Sequence, residues 1–213
     1  SNVSATNNFS TPMSPEAIAQ PEFANAIAYD WVHKVLYWAS DGGIGLVTLR
    51  GRHRLTIVNT DLLKLAAIAV DPREDQGWVY WSGFKKSLMK PMIERAGLDG
   101  SHRTSLVETK PGWPTGLTID YAGNRLYWIA NSGTISSSDL NGQNVRVVLS
   151  DARLPRYPFS IDVLGNFVYW DAVRTKEIYE INTNNIIPNA RIVKRTTRTP
   201  RGIRVYHQTR QPK

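Results

Sequence analysis

The sequence predicts an all-β fold, a segment of β-propeller, and three observations point there. The pair Tyr-Trp recurs four times, at Tyr37-Trp38, Tyr80-Trp81, Tyr127-Trp128 and Tyr169-Trp170, with Trp-to-Trp spacings of 43, 47 and 42 residues. Around each pair the same order of short apolar segments returns, bounded by Gly, Asn, Asp or Pro, which is how strands and turns read in a sequence. No stretch of comparable length keeps a 3.6-residue apolar period, so no helix of that length is expected.

The first segment of each unit is an apolar strand ending in Asp: Ala26 to Asp30, Ala67 to Asp71, Gly116 to Asp120 and Phe159 to Asp162. After a turn the second strand carries the pair: Lys34 to Trp38, Gly77 to Trp81, Arg125 to Trp128 and Phe167 to Trp170. A third strand runs into a Gly turn at Val47 to Gly51, Ala96 to Gly100 and Ser138 to Gly142. The fourth strand follows an Arg: Arg54 to Val58, Arg103 to Val107, Arg146 to Leu149 and Arg191 to Val193. Four short strands in a unit of this length make one blade, and a blade buries both faces only when it stacks on neighbours around an axis.

Composition sets the outer bounds. Hydrophobic residues make up 41% and aromatics 10% of the 213 residues, enough for a buried core. No apolar run is long enough to span a membrane, and the polar opening residues do not resemble a signal peptide. There are no cysteines, which excludes a disulfide scaffold and Cys-ligated zinc. The sequons at Asn2 and Asn8 would accept glycan in a secreted protein. The formal charge is +8, and seven of the 26 basic residues crowd the C-terminal part: Lys194, Arg195, Arg198, Arg201, Arg204, Arg210 and Lys213. Such a face suits acidic partners: an acidic protein module or a sulfated glycan. It lacks the aromatic interleaving that would favour nucleic acid.

Two groups of residues invite a chemical reading. Asp30, Asp71, Asp120 and Asp162 recur once per unit, so on a propeller they form a ring near the axis. Such a ring could hold a cation or do acid–base work. Identical register in each unit favours the plainer role, in which each carboxylate caps its own turn, because catalytic groups normally break repeat symmetry. Of the four histidines, His33, His53, His102 and His207, none is spaced as a zinc pair and no Ser-His-Asp arrangement stands out. No catalytic, metal or cofactor-binding residue is therefore assigned. Trp78 and Trp113 lie outside the pairs and are expected in blade packing.

At the Tyr-Trp strands the sequence resembles the YWTD, or class B, repeats of the low-density lipoprotein receptor family. The match is close from Ala26 to Trp38, including Asp30-Trp31, and returns at Trp113 to Leu117 and Tyr157 to Ser160. The resemblance covers about residues 20–207 and implies a six-bladed propeller, a non-catalytic protein-binding role in endocytosis, and acidic cysteine-rich or EGF-like modules of the same parent chain as partners. It places the chain outside the cell, on a surface or endosomal single-pass receptor or in a secreted protein. It also implies that His33 sits where an acid-sensing residue of such receptors occurs. Six blades need roughly 260 residues. Four units are present, followed by Pro200 to His207, which repeats a first strand and would close a ring. The expectation is an N-terminally truncated, open arc of about four blades plus a closing strand, with residues 1–19 a polar linker or disordered tail and 208–213 an exit linker. The family's Asp after Tyr-Trp-Thr is replaced by Ser40, Gly83, Ala130 and Ala172, so blade contacts are expected to rest on aromatic packing. Two other readings of the same fold are a nidogen-like adhesion surface in a matrix or signalling protein, and a six-bladed lactonase-type hydrolase.

Overall fold

Alternating apolar and polar residues, broken by tight turns, fold this chain into four antiparallel meanders. In the computed structural model, residues 24–48, 54–59, 62–73, 77–85, 90–110, 112–151, 157–185 and 189–206 are described. Blade 1 comprises β1 (Ala26–Asp30), β2 (Val35–Ser40), β3 (Gly43–Thr48) and β4 (Arg54–Asn59). Blade 2 comprises β5 (Leu62–Asp71), β6 (Trp78–Lys85), β7 (Lys90–Gly97) and β8 (Thr104–Glu108). Blade 3 comprises β9 (Pro114–Asp120), β10 (Arg125–Ala130), β11 (Ile135–Asp139) and β12 (Arg146–Leu149). Blade 4 comprises β13 (Pro158–Leu164), β14 (Phe167–Ala172), β15 (Glu177–Asn182) and β16 (Arg191–Arg195). The first strands β1, β5, β9 and β13 lie side by side as the inner strands of successive blades. The third strands begin earlier than the Gly turns suggested, and β15 supplies the third strand of the last unit. Residues 200–206 belong to no sheet, although the sequence there repeats a first strand. The expected tails 1–19 and 208–213, with Asn2, Asn8, His53 and His207, lie outside the described residues.

The repeated pair works because neighbouring strand residues point to opposite faces. Trp81 packs toward blade 1, in one core with Tyr37, Ala39 and Ile44. Trp128 packs toward blade 2, with Ala67, Ala69 and Tyr80. Trp170 packs toward blade 3, with Tyr127, Ile129 and Ile135, and stacks on Tyr179 at 5.4 Å. Tyr37, Tyr80 and Tyr127 each face the following blade, and two of them add a hydrogen bond across the gap. Tyr37 Oη donates to Leu98 O at 3.0 Å, and Tyr80 Oη to Leu140 O at 3.3 Å. Burial, then the charges of Asp30 and Asp99, pushes the Tyr37 phenol well above its ordinary pKa, which keeps it a donor. The core is thus three apolar seams between four sheets.

The glycine of the third-strand turn belongs to the same seams. Gly100 (φ 90°) carries its turn against the backbone of Ile57 on β4, where a Cβ would lie 2.1 Å from the carbonyl oxygen. Gly142 (φ 78°) approaches Leu106 on β8 in the same way, 2.9 Å from its carbonyl oxygen. Only glycine allows both the left-handed backbone and that approach.

Among the described residues no blade precedes blade 1, and its first strand shows the consequence. Ile27 lies opposite Trp38, as Ile68, Leu117 and Ile161 lie opposite Trp81, Trp128 and Trp170. Ile27 is 57% exposed, whereas its three counterparts are 1–3% exposed. The assembly is a partial propeller whose first blade has one uncovered face.

Candidate binding face

The inner strands surround a cavity of about 510 Å³ at the end where they begin. Short side chains such as Ala67 and Gly116 leave this space, and Arg201, Gly202, Ile203 and Arg204 wall one side. Among the described residues its polar side chains are Asn25, Thr115, Ser160, Arg201 and Arg204, with no carboxylate and no histidine. Around the mouth stand half-exposed aromatics: Trp113, Tyr157 and Phe159. Cations sit on two of them, with Lys64 Nζ 5.2 Å from the Trp113 ring and the Arg174 guanidinium 4.0 Å from Tyr157. Trp113 also packs on Phe84 at 5.1 Å, so it serves both the seam and the rim. Trp78 lies under the Arg95 guanidinium at 4.0 Å, inside the packing between blades 2 and 3.

The segment 201–205 is held without a sheet. Gly202 N donates to Asp171 Oδ2 at 3.0 Å, Ile203 N to Ser160 Oγ at 2.7 Å and Val205 N to Asp162 Oδ2 at 2.6 Å. Ser160, Asp162 and Asp171 thus form an acceptor row on the face of blade 4 that would meet the next blade. Replacing Asp162 by Ala should remove the last of these bonds and cost about 2 kcal/mol, the scale of a hydrogen bond to a charged group. Amide exchange at Val205 and Ile203 should then accelerate well before the rest of the domain. Unchanged protection at both amides would show that the strap is held by other contacts.

That arrangement corrects the reading of Asp162. Three of the four recurring carboxylates do cap their own turns. Asp30 Oδ1 accepts from Val32 N and His33 N at 2.9 and 2.8 Å, and Asp120 Oδ1 from Ala122 N and Gly123 N at 3.1 Å each. Asp71 accepts from Arg73 N at 3.3 Å and takes its guanidinium bidentately, at 2.7 Å from each oxygen. Asp162 lies two residues earlier in register. It pairs with Tyr169, whereas Ala28, Ala69 and Thr118 hold that place opposite the other three tyrosines. The cause is the short hairpin of blade 4, where Leu164 and Phe167 pair directly across Gly165-Asn166. Asp162 instead accepts from Thr118 Oγ1 of blade 3 at 2.9 Å.

Polar residues next to the position of the family's Asp carry hydrogen bonds here. Asp171 Oδ1 accepts from Phe159 N and Ser160 N at 2.9 and 2.8 Å, and Asn131 Oδ1 from Trp113 N at 3.0 Å. Asp41 Oδ1 accepts from Asn25 Nδ2 at 3.0 Å, and Ser82 Oγ reaches across to Pro114 O at 3.1 Å. Residues next to the motif position tie down the start of an inner strand. Asp171, Asn131 and Asp41 act within their own blade, whereas Ser82 crosses from blade 2 to blade 3, so blade contacts do not rest on aromatic packing alone.

His33 stands at the other end of the inner strands from the cavity. Its Nδ1 is 2.7 Å from Asp30 Oδ2, with the imidazole 54% exposed and the carboxylate fully buried. A second, smaller hollow at that end is lined by Tyr29, Trp31, Tyr121 and Arg204. Trp31 meets Tyr121 edge-on at 5.0 Å there. No group of three or more His, Asp or Glu among the described residues is gathered as metal ligands would be, and no helix is long and apolar enough to cross a membrane.

Comparison with known proteins agrees with this architecture. Residues 77–121 match the family model described as low-density lipoprotein receptor repeat class B. That span runs from the start of β6 to the end of β9, so the sequence repeat straddles two blades. The vitellogenin receptor of Solenopsis invicta is 36% identical over 159 residues, covering 73% of this chain and 8% of that receptor. The low-density lipoprotein receptor-related protein 5-like protein of Homo sapiens is 31% identical over 164 residues, covering 74% of this chain and 62% of that protein. The chain thus spans less than two thirds of the length of either relative. Among solved structures, a chain of a nidogen/laminin complex superposes with a TM-score of 0.50 at 21% identity, covering 78% of this chain and 79% of its own. The β-propeller domain of Myceliophteria thermophila Cps50 (Swd1) gives 0.57 at 12% identity, covering 74% and 51%. At those identities the two likenesses speak to the fold alone.

Proposed function

We propose that this chain, a divergent propeller segment built of low-density lipoprotein receptor class B repeats, is a protein-binding part of an endocytic receptor. It would bind a ligand outside the cell, or release it in an acidified endosome. The observation that carries this reading is the axial cavity with its rim of half-exposed aromatics and cations, Trp113, Tyr157, Phe159, Lys64 and Arg174. Large rigid aromatics and arginine beside a recess are the groups that dominate protein interfaces. The class B repeat match and the relatives support a non-catalytic role. The adhesion reading keeps the fold likeness and gains no residue of its own. The vitellogenin receptor and the low-density lipoprotein receptor-related protein 5-like protein among the relatives support a location on the outside of a cell-surface or endosomal membrane.

The partners that fit are protein ligands and acidic modules, cysteine-rich or EGF-like, of the same parent chain. Acid-dependent release would run through His33. Imidazole gains its charge between about pH 7 and 5, and both ring nitrogens then become donors. With Nδ1 directed at Asp30, it is the outer nitrogen that would meet an acidic partner. Binding of an acidic cysteine-rich module should strengthen as pH falls from about 7.4 to about 5.5, and His33→Ala should flatten that rise. Superimposable titrations of the two proteins would end the acid-sensing role and leave the cavity reading standing.

A further inference from the structure

We propose that the outer rim of blade 4, which adjoins the axial cavity and shares Arg174 and Arg201 with it, is a binding surface for a sulfated polysaccharide, a reading that does not rest on the receptor role. Six exposed cations converge there: Arg174, Lys176, Lys194, Arg195, Arg198 and Arg201. The topology brings them together from three segments. Arg174 and Lys176 sit in the β14–β15 turn, and Glu177 and Ile178, which follow it, pair with Arg195 and Lys194 on β16. Thr196 N donates to Lys176 O at 2.7 Å, and Thr196 Oγ1 to Arg198 O at 2.6 Å. Arg201 precedes Gly202, which is anchored on Asp171 at the end of β14.

The acidic side of this surface is nearly spent. Glu177 is the carboxylate among these cations, and it is buried beneath them. Its oxygens are occupied by Tyr179 Oη at 2.6 Å and Arg195 Nε at 2.9 Å. These two hydrogen bonds hold its carboxyl below the usual range, so it stays ionised and engaged. The positive field of the remaining cations faces outward.

The shape selects the partner. The cations form a band along an exposed edge strand and its turn, with the exposed hydroxyls of Thr175, Thr197 and Thr199 between them. A single acidic side chain would engage one or two of these groups. A chain carrying a sulfate on each sugar can meet the whole band. Single-stranded nucleic acid needs aromatic faces for stacking, and the Tyr157 ring at this rim already carries the Arg174 guanidinium.

The test is binding of the 213-residue chain to heparin, to fully desulfated heparin and to a single-stranded oligonucleotide, at several salt concentrations. The wild-type chain should bind heparin in a salt-sensitive manner and bind the desulfated polymer no better than background. Lys176→Ala/Arg198→Ala should weaken heparin binding about tenfold, as loss of two exposed charge contacts would. The control Lys34→Ala/Arg146→Ala removes the same charge from the opposite end of the blades and should bind like wild type. Both pairs alter exposed side chains, and matching thermal unfolding midpoints confirm that the fold is kept. Equal weakening by the two pairs, or retention of desulfated heparin, would overturn the proposal. Tighter binding of the oligonucleotide than of heparin would overturn it in favour of nucleic acid.

Discussion

Trp81→Ala should destabilise the domain by about 3–5 kcal/mol, the scale for truncating a fully buried Trp. Trp81 has no exposed surface and sits in the seam between blades 1 and 2. On its own sheet it lies opposite Ile68 and Glu94, and across the gap it meets the Tyr37 side of blade 1. Truncation therefore opens a void that two rigid sheets cannot close. The motif supplies an internal comparison. Trp38 occupies the same place on blade 1 and is itself buried, but among the described residues no blade precedes its face and it belongs to none of the three seams. Trp38→Ala should cost about 1–2 kcal/mol less than Trp81→Ala, because its surroundings are free to collapse. Urea unfolding of both variants checks the order. Equal losses would mean that the tryptophan stabilises its own sheet and not the contact between sheets.

That comparison shows which parts of the fold could be read from sequence. The Tyr-Trp strands were legible because aromatic pairs and turn residues carry a period, and the blades follow from it. The direction of each member of the pair also follows, since strand neighbours point to opposite faces. Asp162 was misread because sequence aligns an Asp with an Asp. Register is set by hairpin length, and blade 4 has the short hairpin at Gly165-Asn166. The acceptor roles of Asp41, Asn131 and Asp171 were obscured for a similar reason: each stands one residue from the motif position, and only the hydrogen bonds show that it reaches the inner strand. The cavity is a property of the assembled inner strands. The small residues that create it, such as Ala67 and Gly116, also read as ordinary strand positions. The C-terminal basic residues were visible as a run, whereas their convergence with Arg174 and Lys176 needed the β15–β16 pairing.

Glu94 is the other position where one change should have a large effect, and its effect should depend on pH. Its carboxylate is buried on β7 and accepts from Arg103 Nη2 at 2.8 Å, Ser105 Oγ at 2.8 Å and Lys85 Nζ at 3.2 Å. Burial works against ionisation, but the Arg103 and Ser105 hydrogen bonds, the Arg103 charge and Lys85 outweigh it and hold the pKa below 4.5. Arg103 in turn donates to Asn59 O of blade 1 at 3.0 Å, so the carboxylate orients a contact between blades. Removing it by Glu94→Ala takes the shared carboxylate away from Arg103 and Lys85. Buried pairs broken this way cost roughly 3–5 kcal/mol, and the partial exposure of Arg103 and Lys85 puts this case near the lower end, about 3 kcal/mol. A carboxyl held below its unfolded pKa stabilises the fold above about 4.5, and that contribution disappears as pH falls through the folded value. The isosteric Glu94→Gln should therefore lose about 2 kcal/mol near pH 7, with the gap to wild type narrowing steadily below pH 4.5. Asp99, Asp139 and Glu177 are held down in the same direction, so the Glu94→Gln variant keeps some acid sensitivity of its own. Denaturant unfolding of both proteins across this range reads the difference directly. A gap that stays constant with pH would show that Glu94 acts through its shape and hydrogen bonds and not through its charge.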